Sequence, residues 1–376
     1  MSNHLHIVAF DNPYPPRYGG VIDIWYKISV LHDAGMMIHL HYFSYGKKKE
    51  EEDILRQYCA TVQAYPRKTG WRSQLSIIPY IVYSRKSEAL IQDLCRDDYP
   101  ILFEGLHTCY YLDDPRLKGR RLLYRESNIE HDYYRHLAKA ERNPLKKVFF
   151  LCESRKLRHY EQVLENSSVM LTVSQADTEY LQRRFPSKKV IRIPSFHKDD
   201  EVISVPGKGD FVLYQGNLSV AENTAAVSFL IRKVWNESMP PLVIAGKNPS
   251  KSLVRLAKTC HRIRLIANPD DATMTGLLRD AHINLMVTFQ PTGLKLKLLN
   301  ALFNGRFCLV NEAMLAGTGL TSLCSVAATP EQFREEIRRL FTCTFTEEET
   351  GKRRDILSKI YSNRENGKLL LQCISS

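Results

Sequence analysis

The 376-residue sequence predicts an α/β protein made of two Rossmann-like, doubly wound domains facing across a cleft. Three observations carry that expectation. Short apolar runs alternate with amphipathic stretches along the chain, the pattern of parallel sheets wrapped in helices. The alternation halts once, at "PSFHKDDEVISVPGKGD" (194–210), a polar stretch punctuated by Pro and Gly, and then restarts. The length itself favours two domains over one. The expected division is a first domain at 1–194, a linker at 195–210 and a second domain at 211–376. The last helix is a candidate to pack back on the first domain.

The elements follow in order. In the first half, short apolar runs place strands at 4–10, 37–43, 101–104, 121–124, 169–173 and 190–193. Longer amphipathic stretches between them place helices at 22–32, 87–96 and 176–185, with one long helix at 129–165. After the linker, strands are expected at 211–215, 241–246, 263–266, 283–287 and 307–310. Helices are expected at 221–235, 252–260, 273–281, within 292–305 and at 330–341. In such sheets ligands bind beyond the carboxyl ends of the strands, so the loops leaving each strand hold the candidates.

Composition narrows the class. With 44% hydrophobic and 25% charged residues, the chain reads as an ordinary globular protein. No apolar run approaches the roughly 20 residues of a membrane-spanning helix, and "MSNHLHIVAF" lacks the plan of a signal peptide. Nine scattered cysteines with no C-x-x-C pair argue against a disulfide framework or zinc site. A cytoplasmic protein is expected. The net charge of +12 favours acidic partners, and 116–158 alone holds 13 Lys/Arg against 5 Asp/Glu. Nucleic acid is a poor fit, because no recognition motif accompanies the charge. An anionic membrane surface is a better one, with "LKKVFFLCESRKLRHYE" as the docking segment. A solvated basic face would carry the same charge.

The post-strand loops supply the candidate site. "FDNPYPPRYGGVIDIW" places Gly19 and Gly20 at a helix start, where backbone N–H groups can approach a phosphate, or where a turn simply needs glycine. It is not the G-x-G-x-x-G dinucleotide fingerprint. "FEGLHT" puts Glu104 and His107 at the sheet's carboxyl edge, and "YRESNIEHDYY" offers Glu126, Asn128 and Glu130, which can also serve as helix-start residues. In the second half, Gly216 and Asn217 end a strand. "TGLKLKLLNALFNG" opens a helix with Gly293, Lys295 and Lys297, against the positive end of its dipole. Lys297, Asn300 and Asn304 share one face and Leu298, Leu299, Leu302 and Phe303 the other, so Lys297 reads as an anion ligand or as a surface lysine of an amphipathic helix.

Taken in order, "PPRYGG", "EGLHT", "RESNIE", "LTVSQADTEYLQRRFPSKKVIRIPS", "YQGNLSVAENTAAVSFL", "LVIAGKNP", "DATMTGLLRDAHINLMV", "GLKLKLLNALFNGRFCLV" and "TPEQFREEIRRL" resemble the GT-B glycosyltransferases. The likeness spans nearly the whole chain and is closest to the retaining family 4 (glycosyl transferases group 1). It implies a hexosyltransferase that moves a sugar from a nucleotide-diphosphate donor to a glycan or lipid-linked acceptor. His107 matches the family's active-site histidine. Gly19, Gly20, Gly216, Asn217, Gly293, Lys295, Lys297 and Asn300 fall on donor-binding positions, and Glu126, Asn128 and Glu130 become possible acceptor or sugar contacts. Neither a metal nor another cofactor is expected beyond the nucleotide-sugar co-substrate, because cations and helix dipoles can receive the leaving diphosphate. Polysaccharide biosynthesis is the expected setting, with a lipid-linked oligosaccharide or a glycoprotein as open alternatives for the product, and the basic stretch adds a peripheral place on the inner face of the cytoplasmic membrane as an expectation. The chain departs from the family pattern at Thr292 and Asn300, where it often carries glutamates, and at Asn217 and Asn223, where it often carries an Arg/Lys pair. Those departures leave open a non-catalytic nucleotide-sugar or glycan-binding protein of the same fold, and more remotely a nucleotide-sugar epimerase.

Overall fold

A computed structural model describes residues 3–375 except 45–48, 71–72, 74–75, 142 and 290–294. The chain divides into two compact units, Met1–Lys198 with Tyr361–Ser376, and Asp199–Ile360. The first runs β1 (His4–Ala9), α1 (Gly19–Asp33), β2 (Met37–Ser44), α2 (Lys49–Tyr58), β3 (Thr61–Pro66), α3 (Tyr80–Tyr83), α4 (Glu88–Leu94), β4 (Ile101–Glu104), β5 (Leu122–Glu126), α5 (Glu130–Ala140), α6 (Pro144–Tyr160), β6 (Val169–Thr172), α7 (Gln175–Arg184) and β7 (Lys189–Arg192). The second runs β8 (Val212–Asn217), α8 (Ala221–Phe229), β9 (Leu242–Lys247), α9 (Lys251–Ala257), β10 (Ile263–Ala267), α10 (Asp271–Asp280), β11 (Ile283–Met286), α11 (Leu296–Asn304), β12 (Phe307–Val310), α12 (Glu312–Leu315), β13 (Ser325–Val326), α13 (Pro330–Thr342) and α14 (Glu347–Ile360). A final helix, α15 (Asn363–Ser375), belongs to the first unit.

Both sheets are parallel throughout, ordered β3-β2-β1-β4-β5-β6-β7 and β10-β9-β8-β11-β12-β13. The apolar central strands bury both faces. In the first unit Leu5, Ile7 and Ala9 point into one core and Val8 into the other. Helix α15 closes the first of these cores with Leu370, Cys373 and Ile374. Gly367 lets it lie close on α1, since a Cβ there would fall 2.5 Å from Val30 Cγ1.

Among the differences from the sequence expectation, four have a local reason. The long helix expected at 129–165 breaks, because Pro144 takes the first helical position of α6. Asn143 caps that start by accepting from the Leu145 and Lys146 amides. The helix expected to 235 leaves α geometry after Phe229 for a π turn at Leu230–Val234. The edge strand β3 escapes notice because "TVQAYP" alternates exposed and buried positions instead of forming an apolar run. The stretch 195–210 is packed at both ends: Phe196 is wholly buried in the first unit, and the Ser204 hydroxyl is held by the second unit's Leu302 and Phe303 carbonyls. Among the described residues, no helix is long and apolar enough to cross a membrane.

Candidate functional site

In each sheet the chain reverses its direction of travel once, beside β1 and β4 in the first unit and beside β8 and β11 in the second. The loops leaving these strands splay apart, and ligands of doubly wound sheets bind in that crevice. Gly19, Gly20 and His107 lie on the first such edge; Gly216, Asn217, Lys295 and Lys297 lie on the second. Thr292 and Gly293 fall outside the described residues.

On the first edge the loop after β1 delivers Phe10 and then α1, whose opening residues are Gly19 and Gly20. A Cβ on Gly20 would fall 2.5 Å from Phe10 Cζ, so glycine here admits the aromatic ring. That ring lies 5.1 Å from the ring of His107. After β4, Gly105 turns with φ +72 into the short 3-10 helix that carries His107.

The His107 Nδ1 is buried with no hydrogen-bond partner among the described residues. Glu130 Oε1 stands 3.8 Å away, beyond hydrogen-bond reach. Burial, reinforced by the positive charges of Arg85 and Arg67, holds the imidazole well below its ordinary pKa. Burial pushes the Glu130 carboxyl up to about 8 despite the opposing charge of Arg85. At neutral pH the pair is therefore an imidazole without charge beside a carboxyl that keeps its proton. One group can accept a proton and the other can donate one.

Glu126 has a different setting. Its carboxyl accepts the Tyr124 hydroxyl and the Asn128 amide (3.0 Å), so it shapes the loop that carries half-buried Asn128 and leads to Glu130. Glu104 is also committed inward. With Asp23, Lys27 and Arg125 it forms a buried network: Lys27 Nζ donates to Asp23 Oδ2 (2.9 Å) and Glu104 Oε1 (2.6 Å), and Arg125 Nη2 donates to Asp23 Oδ1 (3.0 Å). Burial opposes ionisation of Asp23, yet Arg125 and Lys27 hold its carboxyl down at about 2. The network fixes α1 against β4 and β5, and Asp23 Oδ1 also takes the Phe196 amide at 2.8 Å. Two cations and two carboxylates cancel. Removing one partner from such a set costs about 3–5 kcal/mol, because a buried charge is left alone.

On the second edge Asn223, in the first turn of α8, is the hub. Its Nδ2 donates to the Asn217 carbonyl (3.0 Å), while its Oδ1 accepts the Tyr214 hydroxyl (3.3 Å) and the Lys297 ammonium (3.2 Å). Gly216 leaves room for that amide, which would sit 3.2 Å from a Cβ there. Lys297 also lies 5.7 Å from the centre of the Tyr214 ring. Lys295 is the residue before α11, and both lysines are half-buried. Burial pulls Lys295 down to about 8 and lowers Lys297, while the carboxylate of Glu222 resists in both cases. Glu222 in turn accepts the hydroxyl of Thr288, the residue that follows β11 and Val287. Asn300 points elsewhere on α11: its Oδ1 accepts from Asn304 Nδ2 (2.9 Å), which also reaches Asp199 (2.9 Å). Asn304 is thus buried, not part of an open polar face.

The starts of the helices distinguish two places. Of the described α-helices longer than four residues, α1 and α11 alone begin with neither a side-chain cap nor an acid in the first turn. Their first N–H groups carry partial positive charge that no described cap or first-turn acid offsets, which suits an anion. The sequence marked both helices, through Gly19-Gly20 and through Lys295 and Lys297. It did not mark Arg85, Glu222 or Tyr214, which reach the site through folding; only the acid at the start of α8 gave a local sign of Glu222.

No protein-family model matches the chain. A curated relative, an uncharacterized 44.6 kDa protein in the cps region of Klebsiella pneumoniae, is 24% identical over 332 residues, covering 83% of this chain and 84% of that protein. Among solved structures, sucrose-phosphate synthase from Thermosynechococcus elongatus superposes with a TM-score of 0.67 at 12% identity, over 98% of both chains. Anabaena Alr3699/HepE, solved in complex with UDP and glucose, superposes with a TM-score of 0.64 at 13% identity, over 99% of both chains. MurG from Acinetobacter baumannii superposes with a TM-score of 0.52 at 11% identity, over 98% of this chain and 99% of MurG. The fold of this chain is the two-domain GT-B fold of glycosyltransferases.

Proposed function

We propose that the chain is a glycosyltransferase that moves a sugar from a nucleoside-diphosphate donor to an acceptor hydroxyl, with retention at the anomeric carbon. The observation that carries the reading is the start of α11. Among the described residues it has no side-chain cap and no acid, it has two lysines, and it stands at the carboxyl edge beside β8 and β11. That is a site for a diphosphate. The family pattern would place cations at Asn217 and Asn223. Here Lys297 supplies the charge from α11, with Asn223 holding its ammonium.

In the proposed reaction the bond from the anomeric carbon to the diphosphate oxygen lengthens through an oxocarbenium-like state. Charge gathers on the leaving diphosphate, where Lys297, Lys295 and the first amides of α11 receive it. The acceptor hydroxyl attacks from the same face. His107 and Glu130 serve the sugar and acceptor side, and the departing phosphate or His107 takes the hydroxyl proton. No metal is needed in this scheme. The test is product analysis with a panel of nucleotide sugars: release of a nucleoside diphosphate that Lys297→Ala slows at least tenfold supports it. A protein that binds nucleotide sugars without ever releasing diphosphate, with or without acceptor extracts, would be the non-catalytic binding protein instead.

The acceptor is proposed to be lipid-linked, because α6 presents an unusual face. Leu145, Val148 and Leu151 are 81%, 58% and 40% exposed, and Lys146, Lys147, Arg155 and Arg158 are exposed on the same helix, where the sole acid, Glu153, is buried. An apolar stripe among cations fits an anionic membrane surface, where each Lys or Arg adds about 1 kcal/mol. Co-sedimentation with vesicles rich in anionic phospholipid should be strong at low salt and weaken in Val148→Asp. Equal sedimentation with neutral vesicles, or none with either, would remove the membrane from the proposal.

A further inference from the structure

The second unit has a feature that sugar transfer does not use. A cavity of about 530 Å³ lies beside β12, β13, α13 and α14, lined by Cys308, Cys324 and Cys343 together with Arg339, Lys352 and Arg353. All three thiols are free. Two of them are brought together by sheet register. Strands β12 and β13 pair in parallel, Leu309 with Ser325 and Val310 with Val326. One step back on each strand stand Cys308 and Cys324, and Cys324 is itself extended (φ −132, ψ 147). Adjacent strands lie about 4.8 Å apart, within the ~4.4–6.8 Å between Cα atoms that a disulfide spans. Leu309 points into the core of the second unit. By alternation the two cysteines share the other face, and both line the cavity.

Their surroundings divide the labour. A hydrogen bond from the Cys324 thiol and the charge of Arg353 hold the Cys308 thiol below its ordinary pKa, against the effect of burial. The same hydrogen bond, with burial, pushes Cys324 up. Cys308 is thus the more easily ionised of the two thiols and Cys324 the partner that keeps its proton. Arg353 is anchored by the carbonyls of Leu302, Gly305 and Arg306, so its position does not depend on the thiols.

We propose that Cys308 and Cys324 form a redox-active dithiol whose substrate is a hydroperoxide admitted through the cavity. The Cys308 thiolate attacks one peroxide oxygen, an S–O bond forms, the O–O bond breaks and hydroxide leaves. The Cys324 sulfur then attacks the Cys308 sulfur. The S–S bond forms, and the hydroxyl of the sulfenic acid departs as water with the Cys324 proton. Two thiols and one hydrogen peroxide give one disulfide and two waters, and a dithiol reductant reverses the change. The bond ties the edge strand β13 to β12.

The test uses the full-length protein, hydrogen peroxide, alkylation of the remaining thiols and peptide mass spectrometry under non-reducing conditions. The expected product is a linked pair of peptides joining Cys308 to Cys324, two hydrogen atoms lighter than the reduced pair and absent after dithiothreitol. In Cys324→Ser, Cys308 should stop at the sulfenic acid and be trapped by dimedone. Alkylation of both cysteines after peroxide, or a link from Cys308 to Cys343 instead, overturns the proposal. The readout involves no nucleotide sugar, so it succeeds or fails independently of the transferase reading.

Discussion

Lys295 and Glu130 show how burial prepares single residues for chemistry. Lys295 has been pulled down to about 8 by burial, so near neutral pH it holds its proton with little to spare. An incoming diphosphate would favour the charged amine. Nucleoside diphosphate affinity should therefore weaken as pH rises from 7 to 9, roughly tenfold if one charge-assisted hydrogen bond is lost. Titration calorimetry at the two pH values measures it, and Lys295→Arg should remove most of the slope. Glu130 has the opposite sign. Its folded carboxyl keeps the proton until about pH 8, whereas an ordinary glutamate loses it near 4.5. The folded state thus binds the extra proton between those values, and stability falls as pH rises through that window. Glu130→Gln should raise the melting temperature at pH 9 and change it little at pH 4. The gain is up to a few kcal/mol, since each tenfold difference in proton affinity between the folded and unfolded chain is worth ~1.4 kcal/mol. If Glu130 also donates a proton in transfer, the same change should cost activity by about a hundredfold or more. Lys297 and Gly216 were legible because each follows a strand in a local strand–loop–helix pattern. Arg85 and Glu222 were not, since their importance comes from neighbours distant in sequence.

At the scale of elements, β1 and β2 carry a device that no motif announces. His4 and His6 on β1 face His39 and His41 on β2, on one side of the sheet. His6 Nδ1 lies 2.8 Å from His41 Nε2, His6 Nε2 lies 2.9 Å from Asp97, and His41 Nδ1 lies 2.8 Å from the Tyr65 hydroxyl, which donates to Asp93. His4 Nδ1 lies 3.0 Å from His39 Nε2, and Tyr99 stacks on His4. Two rings that share one proton cannot both charge. Burial, with help from His39 and Arg120 and against Asp97, takes His6 down to about 4, and it holds His41 well below 6.5. The unfolded chain therefore binds more protons between pH 6.5 and 4, so stability is intact above 6.5 and is lost as pH falls through that window. The loss attributable to His6 is on the order of 3 kcal/mol. Urea midpoints followed from pH 7 to 4 should show it, and His6→Gln should flatten the curve. In sequence these residues read only as alternate positions of two apolar strands. The strands themselves were legible, as runs of apolar residues; the break between α5 and α6 is also written in the sequence, in Asn143-Pro144, a cap and first-turn proline that one long helix at 129–165 passes over.

For the whole molecule, alternating strands and helices already implied two parallel sheets in one chain, and the solved structures that superpose on it give the GT-B fold. What composition could not supply was the switch point in each sheet. Strand order is a property of the fold, and only that order brings Gly20 beside His107's neighbour Phe10, and Lys297 beside Asn223. The central claim is that the start of α11 is a diphosphate site. Its most direct test is thermal unfolding with UDP, GDP, ADP and CMP, for the wild-type protein and for Lys297→Ala. A diphosphate at ~100 times its dissociation constant should stabilise the wild type by about 2.7 kcal/mol, the monophosphate CMP should do much less, and Lys297→Ala should lose most of the shift. A shift that survives intact in Lys297→Ala, or no shift with any diphosphate, would contradict the claim.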